Sequence, residues 1–421
     1  MLMTFRILVL VKKEEGSKFT KSLWRKENLL FSVFILLTLF AAFRGLTVSV
    51  IPLRDALASL VYFVAVFLVC LNYFGISRQP LSLNERIYYI AIGFSLYVAV
   101  NFVLYQLDIL IKYIPEADAD SGSNLLLQSI GIDMNRALFP MAYGINAYGN
   151  VAGLGLFFSI YLYRVAKNIP IKIISCIFIL ISIYSILMVE SRGVFLGVIF
   201  AVLFSPFAKG VFAKIIVFST PLIPVIIFFS IFILKEIGVL SLFTRGDSDF
   251  SGLVTDRDVI WAVSISDLSK FEFIHLFGFG LYGNAASGLM EKYSWLFDYY
   301  KTTFHTLHNV GLQYVLDIGY IGVLVYLIVV SGFFQRINKM KTLSQATAWI
   351  LKSAMLFLIA LGGTESIPSL YATESFFIFM FFIFLAYSKE LNQLNNHQLK
   401  LVGSREVQGT KVHPLRASRQ R

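Results

Sequence analysis

The chain has 421 residues, of which 57% are apolar, 16% aromatic and only 14% charged, with a net charge of +11 at pH 7 and a mean hydropathy of +0.74. Soluble domains carry about 25% charged residues, and 41 Phe with 21 Tyr are more than one water-soluble core of this size can hide. The low charge and high aromatic content exclude disorder, and the lack of a short repeat excludes collagen-like and solenoid architectures. Cys70 and Cys176 both lie in apolar runs, which excludes a disulfide framework and a Cys-based metal site. The composition therefore predicts an all-α polytopic membrane protein, and its placement of charge speaks against a nucleic-acid partner.

A helix crosses the hydrocarbon with about 20 mostly apolar residues. Ten such runs follow in chain order, near 29–43, 56–74, 87–107, 147–165, 173–189, 193–208, 215–234, 310–334, 347–361 and 367–387. The stretch before them, MLMTFRILVL, has no basic residue ahead of its apolar part and no small-residue cleavage site after it. It reads as an interfacial segment, and the first run as an uncleaved anchor.

Lys and Arg mark the cytoplasmic side. With the N-terminus inside, the inner segments hold 25 of the 36 Lys and Arg, whereas 19 of the 25 acidic residues lie outside those segments. The basic charge is thus first a topology signal, and anionic membrane lipids are a second partner for the N-terminal lysines. The organisation that follows is a cytoplasmic basic N-terminus (1–28), spans one to seven (29–234) with an outer loop at 108–146, a large outer loop (235–309), spans eight to ten (310–387) and a cytoplasmic basic tail (388–421). A connection of about 75 residues is far longer than a turn needs. Its Trp261, Trp295, Phe271, Phe273 and Phe277 predict a folded, partly helical cap over the outer mouth, with an amphipathic helix over Asp256 to Leu268 presenting Val259, Ile260, Val263 and Leu268.

Ionisable residues at the ends of spans are costly and therefore informative. Arg192, in Glu190-Ser191-Arg192-Gly193, sits in a tight outer turn where a basic residue opposes the topology bias. It reads as a ligand for an anion or as a snorkelling side chain paired with Glu190. Arg257 opens the loop helix between Asp256 and Asp258, where a solvated ion pair is the simpler reading. His308 precedes span eight in Thr306-Leu307-His308-Asn309 and suits a general base near neutral pH. With His305 it forms only half of a zinc-like pair, and no third ligand completes it. Asp317 either orients an Arg or His within the bundle or is a buried, hydrogen-bonded acid. Asp247-Ser248-Asp249 resembles a metal-nucleotide signature but falls on the side without nucleotide sugars.

Three blocks together resemble the O-antigen ligase and polymerase superfamily of bacterial inner-membrane glycosyltransferases. They are Ser191-Arg192-Gly193 with Phe195-Leu196-Gly197; Arg257 and Trp261 followed by Gly278-Phe279-Gly280 and Gly283-Asn284; and His308-Asn309 followed by Gly319-Tyr320-Ile321-Gly322. Thr364-Glu365-Ser366 and the pair Asn146 and Asn150 are also similar to family features. The likeness covers roughly 140–385. It departs from the family where Ile274-His275-Leu276-Phe277 replaces the usual Pro before Gly-x-Gly and where Ala147 replaces a Pro.

The resemblance implies transfer of a glycan from undecaprenyl pyrophosphate to an acceptor hydroxyl at the periplasmic face, in lipopolysaccharide biosynthesis. Arg192 and Arg257 would clamp the pyrophosphate, His308 would be the base of an inverting transfer, and Glu190, Asn309, Asp317 and Glu365 would support them. No metal or other cofactor is implied, because the leaving group is already activated. The spacing His308-Asn309, Gly319, Gly322 favours a ligase acting on lipid A-core. A polymerase joining lipid-linked repeat units is the alternative, although no Arg here has Gly at the spacing described for polymerases. A protein O-oligosaccharyltransferase shares the same core. A transporter or flippase of lipid-linked oligosaccharide is the rival of another class, and would need ionisable groups or broken helices near the bilayer midplane.

Overall fold

The computed structural model describes residues 28–48, 51–71, 82–109, 136–141, 145–226, 257–296, 305–340, 343–371 and 373–387. The N-terminal interfacial segment, Asp247-Ser248-Asp249 and the basic tail lie outside these. Among the described residues the protein is all-helical, with no strand. The long helices are α1 (Leu29–Gly45), α2 (Leu53–Leu71), α3 (Leu83–Gln106), α4 (Ile145–Val165), α5 (Ile169–Val189), α6 (Arg192–Phe204) and α7 (Gly210–Ser219). After these come α8 (Arg257–Leu268), the short α9 (Gly283–Ala286), α10 (Val310–Lys339), α11 (Gln345–Gly362) and α12 (Thr373–Tyr387).

Each of the ten apolar runs contains a helix, with residues 72–74, 227–234 and 372 outside the described part. Five helices are long and apolar enough to cross a membrane: α2, α3, α5, α10 and α11. Four apolar helices are shorter, namely α1, α6 with the turn to Phe207, α7 with its continuation to Ile226, and α12. The last run begins later than its hydropathy predicts. Residues 364–371 form turns, because Pro368 lacks an N–H and cannot continue a helix.

Local sequence explains the ends. Ser82 caps α3 by accepting from Glu85 N (3.3 Å) while Glu85 Oε2 accepts from Ser82 N (2.6 Å), which satisfies two donors that a helix start leaves over. Asn309 Oδ1 caps α10 through Leu312 N (2.8 Å), and Ser344 Oγ caps α11 through Thr347 N (3.0 Å). The α5–α6 turn is closed by Glu190 in the left-handed region, φ 50°.

The packing has a clear centre. Helix α10 lies against α1, α7, α11 and α12, and α11 lies against α4 and α6. Within their most apolar windows, 72% of α10 and 67% of α11 is buried, against 22% of α2 and 28% of α3 and of α5. Side chains such as Val61, Leu96, Leu180 and Leu203 are exposed on outer helices that carry almost no charge. An apolar surface on this scale is unstable in water, so the outer faces fit a lipid environment and the protein is compatible with a multi-pass membrane architecture.

Helix α10 is broken at Gly319, whose φ of 75° and ψ of 175° are outside the helical region. The segment Gly278-Phe279-Gly280 lies in the break. Phe279 N donates to Leu316 O (2.6 Å) and Gly280 N to Asp317 O (3.0 Å), taking carbonyls that the interrupted helix no longer uses. Leu281 N donates to Ala41 O of α1 (2.7 Å), and Arg44 Nη1 donates to Gly278 O (2.6 Å). Nine residues of α10 precede Gly319, a depth of about 14 Å. The loop is therefore more than a lid over the helix ends, because part of it runs down beside α10. Irregular backbone at that depth is stable because its polar groups are paired.

The loop helix is present as α8, but its buried face is Ile260, Trp261, Ser264 and Leu268, with Val259 and Val263 only half-buried. The face is rotated from the apolar pattern because Trp261 Nε1 donates to Leu307 O (2.9 Å), which turns the indole inward.

Candidate functional site

The site forms where three chain connections meet: the start of α8, the residues leading into α10, and the turn after α11. Arg257 is the first residue of α8. His308 precedes the cap of α10, with φ 49°, a left-handed backbone uncommon for a non-glycine residue. Its neighbours hold it there. Leu307 N donates to Gln313 Oε1 (3.1 Å), Leu307 O accepts from Trp261, and Asn309 Nδ2 donates to Gly363 O (3.0 Å).

Glu365 joins the three connections. Its Oε1 accepts from Arg257 Nη2 at 2.5 Å, and its Oε2 is 2.9 Å from His308 Nδ1. The side chains are mostly covered, 19% exposed for Arg257, 27% for His308 and 16% for Glu365. Burial alone would push the Glu365 carboxyl up, but the Arg257 guanidinium and the His308 imidazole beside it hold it down at about 2. Glu365 is thus ionised at neutral pH and can only accept. It follows that His308 Nδ1 carries a proton and donates to it, which in the neutral ring leaves Nε2 as the acceptor. A guanidinium has five N–H donors, and the bond to Glu365 engages Nη2.

Arg192 opens α6 at the same end. The next residue, Gly193, faces the turn that carries Glu365: a Cβ there would lie 3.2 Å from Thr364 Oγ1. Only the small side of the α5–α6 turn fits against Thr364, which brings the backbone beside Arg192 next to the Glu365 turn. Glu190 is buried as the C-cap of α5, and Arg136 Nε donates to Val189 O (3.0 Å) at the same helix end.

Asp317 is not part of this cluster. It sits nine residues further along the chain than His308 and is 3% exposed. Gly283 N (3.0 Å) and Gln313 Nε2 (3.0 Å) donate to its Oδ1, and Tyr371 OH donates to its Oδ2 (3.0 Å). Asp317 is therefore the buried, hydrogen-bonded acid of the two readings: it ties α9 and the 371 turn to the broken helix. His305 contributes its backbone, accepting from Asn284 Nδ2 (2.7 Å) and Tyr293 OH (3.2 Å). Among the described residues no three His, Cys, Asp or Glu side chains are grouped to hold a metal.

Sequence reasoning passed over Arg44, Gln313 and Tyr371, and weighed Arg136 only against the polymerase spacing. Arg44 and Arg136 carried the signal that singled out Arg192, a basic residue on the side where the charge bias disfavours it. Gln313 and Tyr371 carried none, since both are ordinary residues of a bundle until their partners are placed.

The depressed Glu365 carboxyl has a testable consequence. A group whose folded pKa lies below its unfolded value stabilises above the unfolded pKa and loses that contribution as pH falls through the folded one. The contribution of Glu365 to the stability of the detergent-solubilised protein is expected to be constant above about pH 5 and to fall by about 3 kcal/mol between about pH 4.5 and 2. Glu365→Gln should flatten this acid limb in a thermal-melt series, and an unchanged limb would remove the assignment. No protein-family model matches the chain, and no curated protein matches it.

Proposed function

We propose that the protein is an O-antigen ligase-like, inverting and metal-independent glycosyltransferase that moves a glycan from undecaprenyl pyrophosphate to an acceptor hydroxyl of lipid A-core. The observation that carries this reading is the bridge by which Glu365 holds Arg257 and His308 together at 2.5 and 2.9 Å, with the Arg192 turn packed beside it. In this reading ten spans cross the bacterial inner membrane, both termini are cytoplasmic, and the site faces the periplasm.

The chemistry follows from the groups. His308 Nε2 takes the proton of the acceptor hydroxyl while its oxygen attacks the anomeric carbon from the face opposite the leaving group. The bond from that carbon to the diphosphate oxygen breaks, and the electron pair leaves with the diphosphate. Negative charge grows there, so fixed cations placed beforehand lower the barrier. Arginine suits this role because it stays charged and offers paired donors to phosphate oxygens. Glu365 fixes the imidazole tautomer and holds the Arg257 guanidinium in place, as the carboxylate of a hydrolytic triad orients its histidine. Asn309 and Asp317 act on architecture: one caps α10 behind His308, and the other anchors the loop.

The transporter reading is weakened by the way the broken helix is used. Transporters leave the freed carbonyls of such breaks for ions, whereas here Leu316 O and Asp317 O accept from the protein's own loop. The deciding experiment is transfer by the purified full-length protein from a lipid-linked glycan donor, with and without lipid A-core. Glycosylated core is the expected product. Polymer formed without core would instead assign a polymerase, and flipping in proteoliposomes without transfer would assign a transporter.

A further inference from the structure

A cavity of about 570 Å³ lies between α1, α7, α10 and α12. Lys214, Arg336 and Lys339 line it together with Leu30, Phe218 and Ile328, and no Asp or Glu is among the described lining residues. Arg336 and Lys339 lie in the last turn of α10, 27 or more residues after Asn309. That separation is about 40 Å of helix, so the cavity is at the opposite end of the bundle from Glu365. In the topology read from the charges, this is the cytoplasmic boundary.

We infer that this cavity binds the phosphate headgroup of an anionic phospholipid, with the lipid's upper acyl chain against Leu30, Phe218 and Ile328. The exposed ammonium groups of Lys214 and Lys339 share one concavity, where a common anion is favoured by both. The apolar half of the lining does not suit a free, fully hydrated phosphate, whereas a lipid presents an anion and a hydrocarbon chain in the same order as these walls. The helices on either side are apolar and outward-facing, so a lipid reaches the cavity sideways without leaving the bilayer. The Arg336 guanidinium is held in place 4.0 Å over the Tyr387 ring, which orders the cation at the cavity wall. Basic pockets between spans on the cytoplasmic side are suited to anionic headgroups, with each cation near the surface adding attraction.

The test uses the full-length protein in detergent, titrated with phosphatidylglycerol or with phosphatidylcholine of the same chains, and read by native mass spectrometry and melting temperature. Phosphatidylglycerol is expected to bind at least tenfold more tightly, and Lys214→Gln with Lys339→Gln to weaken it by roughly tenfold. Both lysines are exposed, so this variant keeps the fold. Arg336→Gln is the second variant, scored only if its melting temperature stays close to wild type. Lys167→Gln with Lys172→Gln removes two charges outside the cavity lining and should leave binding unchanged. An equal loss in that control would reduce the effect to general surface charge and overturn the site. Displacement of the lipid by millimolar inorganic phosphate would overturn the lipid as occupant. Glycan transfer is not the readout, so the lipid site and the glycosyltransferase reading stand or fall separately.

Discussion

Under the proposed glycosyltransferase function, His308→Asn is expected to lower glycan transfer by about 10³-fold while the protein inserts and melts as the wild type does. The size follows from removing a positioned general base, which accounts for about 10² to 10⁴ of a rate. Asparagine is the informative replacement. His308 has φ 49°, and Asn tolerates the left-handed region better than Ala, so backbone strain is not confused with lost chemistry. The Asn amide also gives Glu365 a donor, which keeps the carboxylate bridged to Arg257 from standing half-paired. Glu365→Gln makes the complementary cut: it keeps the shape but no longer forces the proton onto Nδ1, and transfer should drop by about 10 to 100-fold. Rates are to be measured with purified protein and a lipid-linked donor. Undiminished transfer by His308→Asn would remove the imidazole from the reaction.

The helical segments were legible because a span must be apolar for about 20 residues, a property each run displays by itself. Helix ends were less so: hydropathy alone put the third span at 87, whereas the local cap of Ser82 and Glu85 starts α3 at Leu83. What depends on distant partners was not. The rotation of α8 comes from Trp261 reaching the carbonyl of Leu307, 46 residues away, which no periodicity within the helix records. Asp317 offered two readings from its neighbours in sequence, and only Gly283 and Tyr371, brought in from other elements, decide between them. Charge placement singled out Arg192, Arg257 and His308 one by one, and Glu365 entered as a support. Its position between Arg257 and His308 is a property of the fold. The glycines of 278–283 were visible as a motif, but their reason is the backbone of α10 lying against them.

That close approach sets the second large effect. Gly319→Ala is expected to prevent accumulation of folded protein, a loss exceeding about 4 kcal/mol. The conformation at φ 75° and ψ 175° is one that essentially only glycine adopts. A Cβ added there would stand 2.2 Å from Leu276 O and 2.5 Å from Phe277 N, both main-chain atoms. Neither can retreat cheaply, because the adjoining Phe279 and Gly280 N–H groups are bonded to Leu316 O and Asp317 O. Moving the loop away would leave those carbonyls unpaired inside the bundle, at about 1 to 3 kcal/mol each. Gly278→Ala should behave alike, since its Cβ would meet the Asp317 carbonyl at 2.6 Å and its own φ is 78°. Gly93→Ala is the matched control: it lies within α3 with nothing inside 4 Å of the added methyl, so its stability should be unchanged or slightly raised. Size-exclusion profiles and thermal melts of the three variants in one detergent check the argument. A folded Gly319→Ala protein with a wild-type melting temperature would show that the loop does not lie in the break of α10. The site would then lose the support that α9 and the 371 turn receive through Asp317.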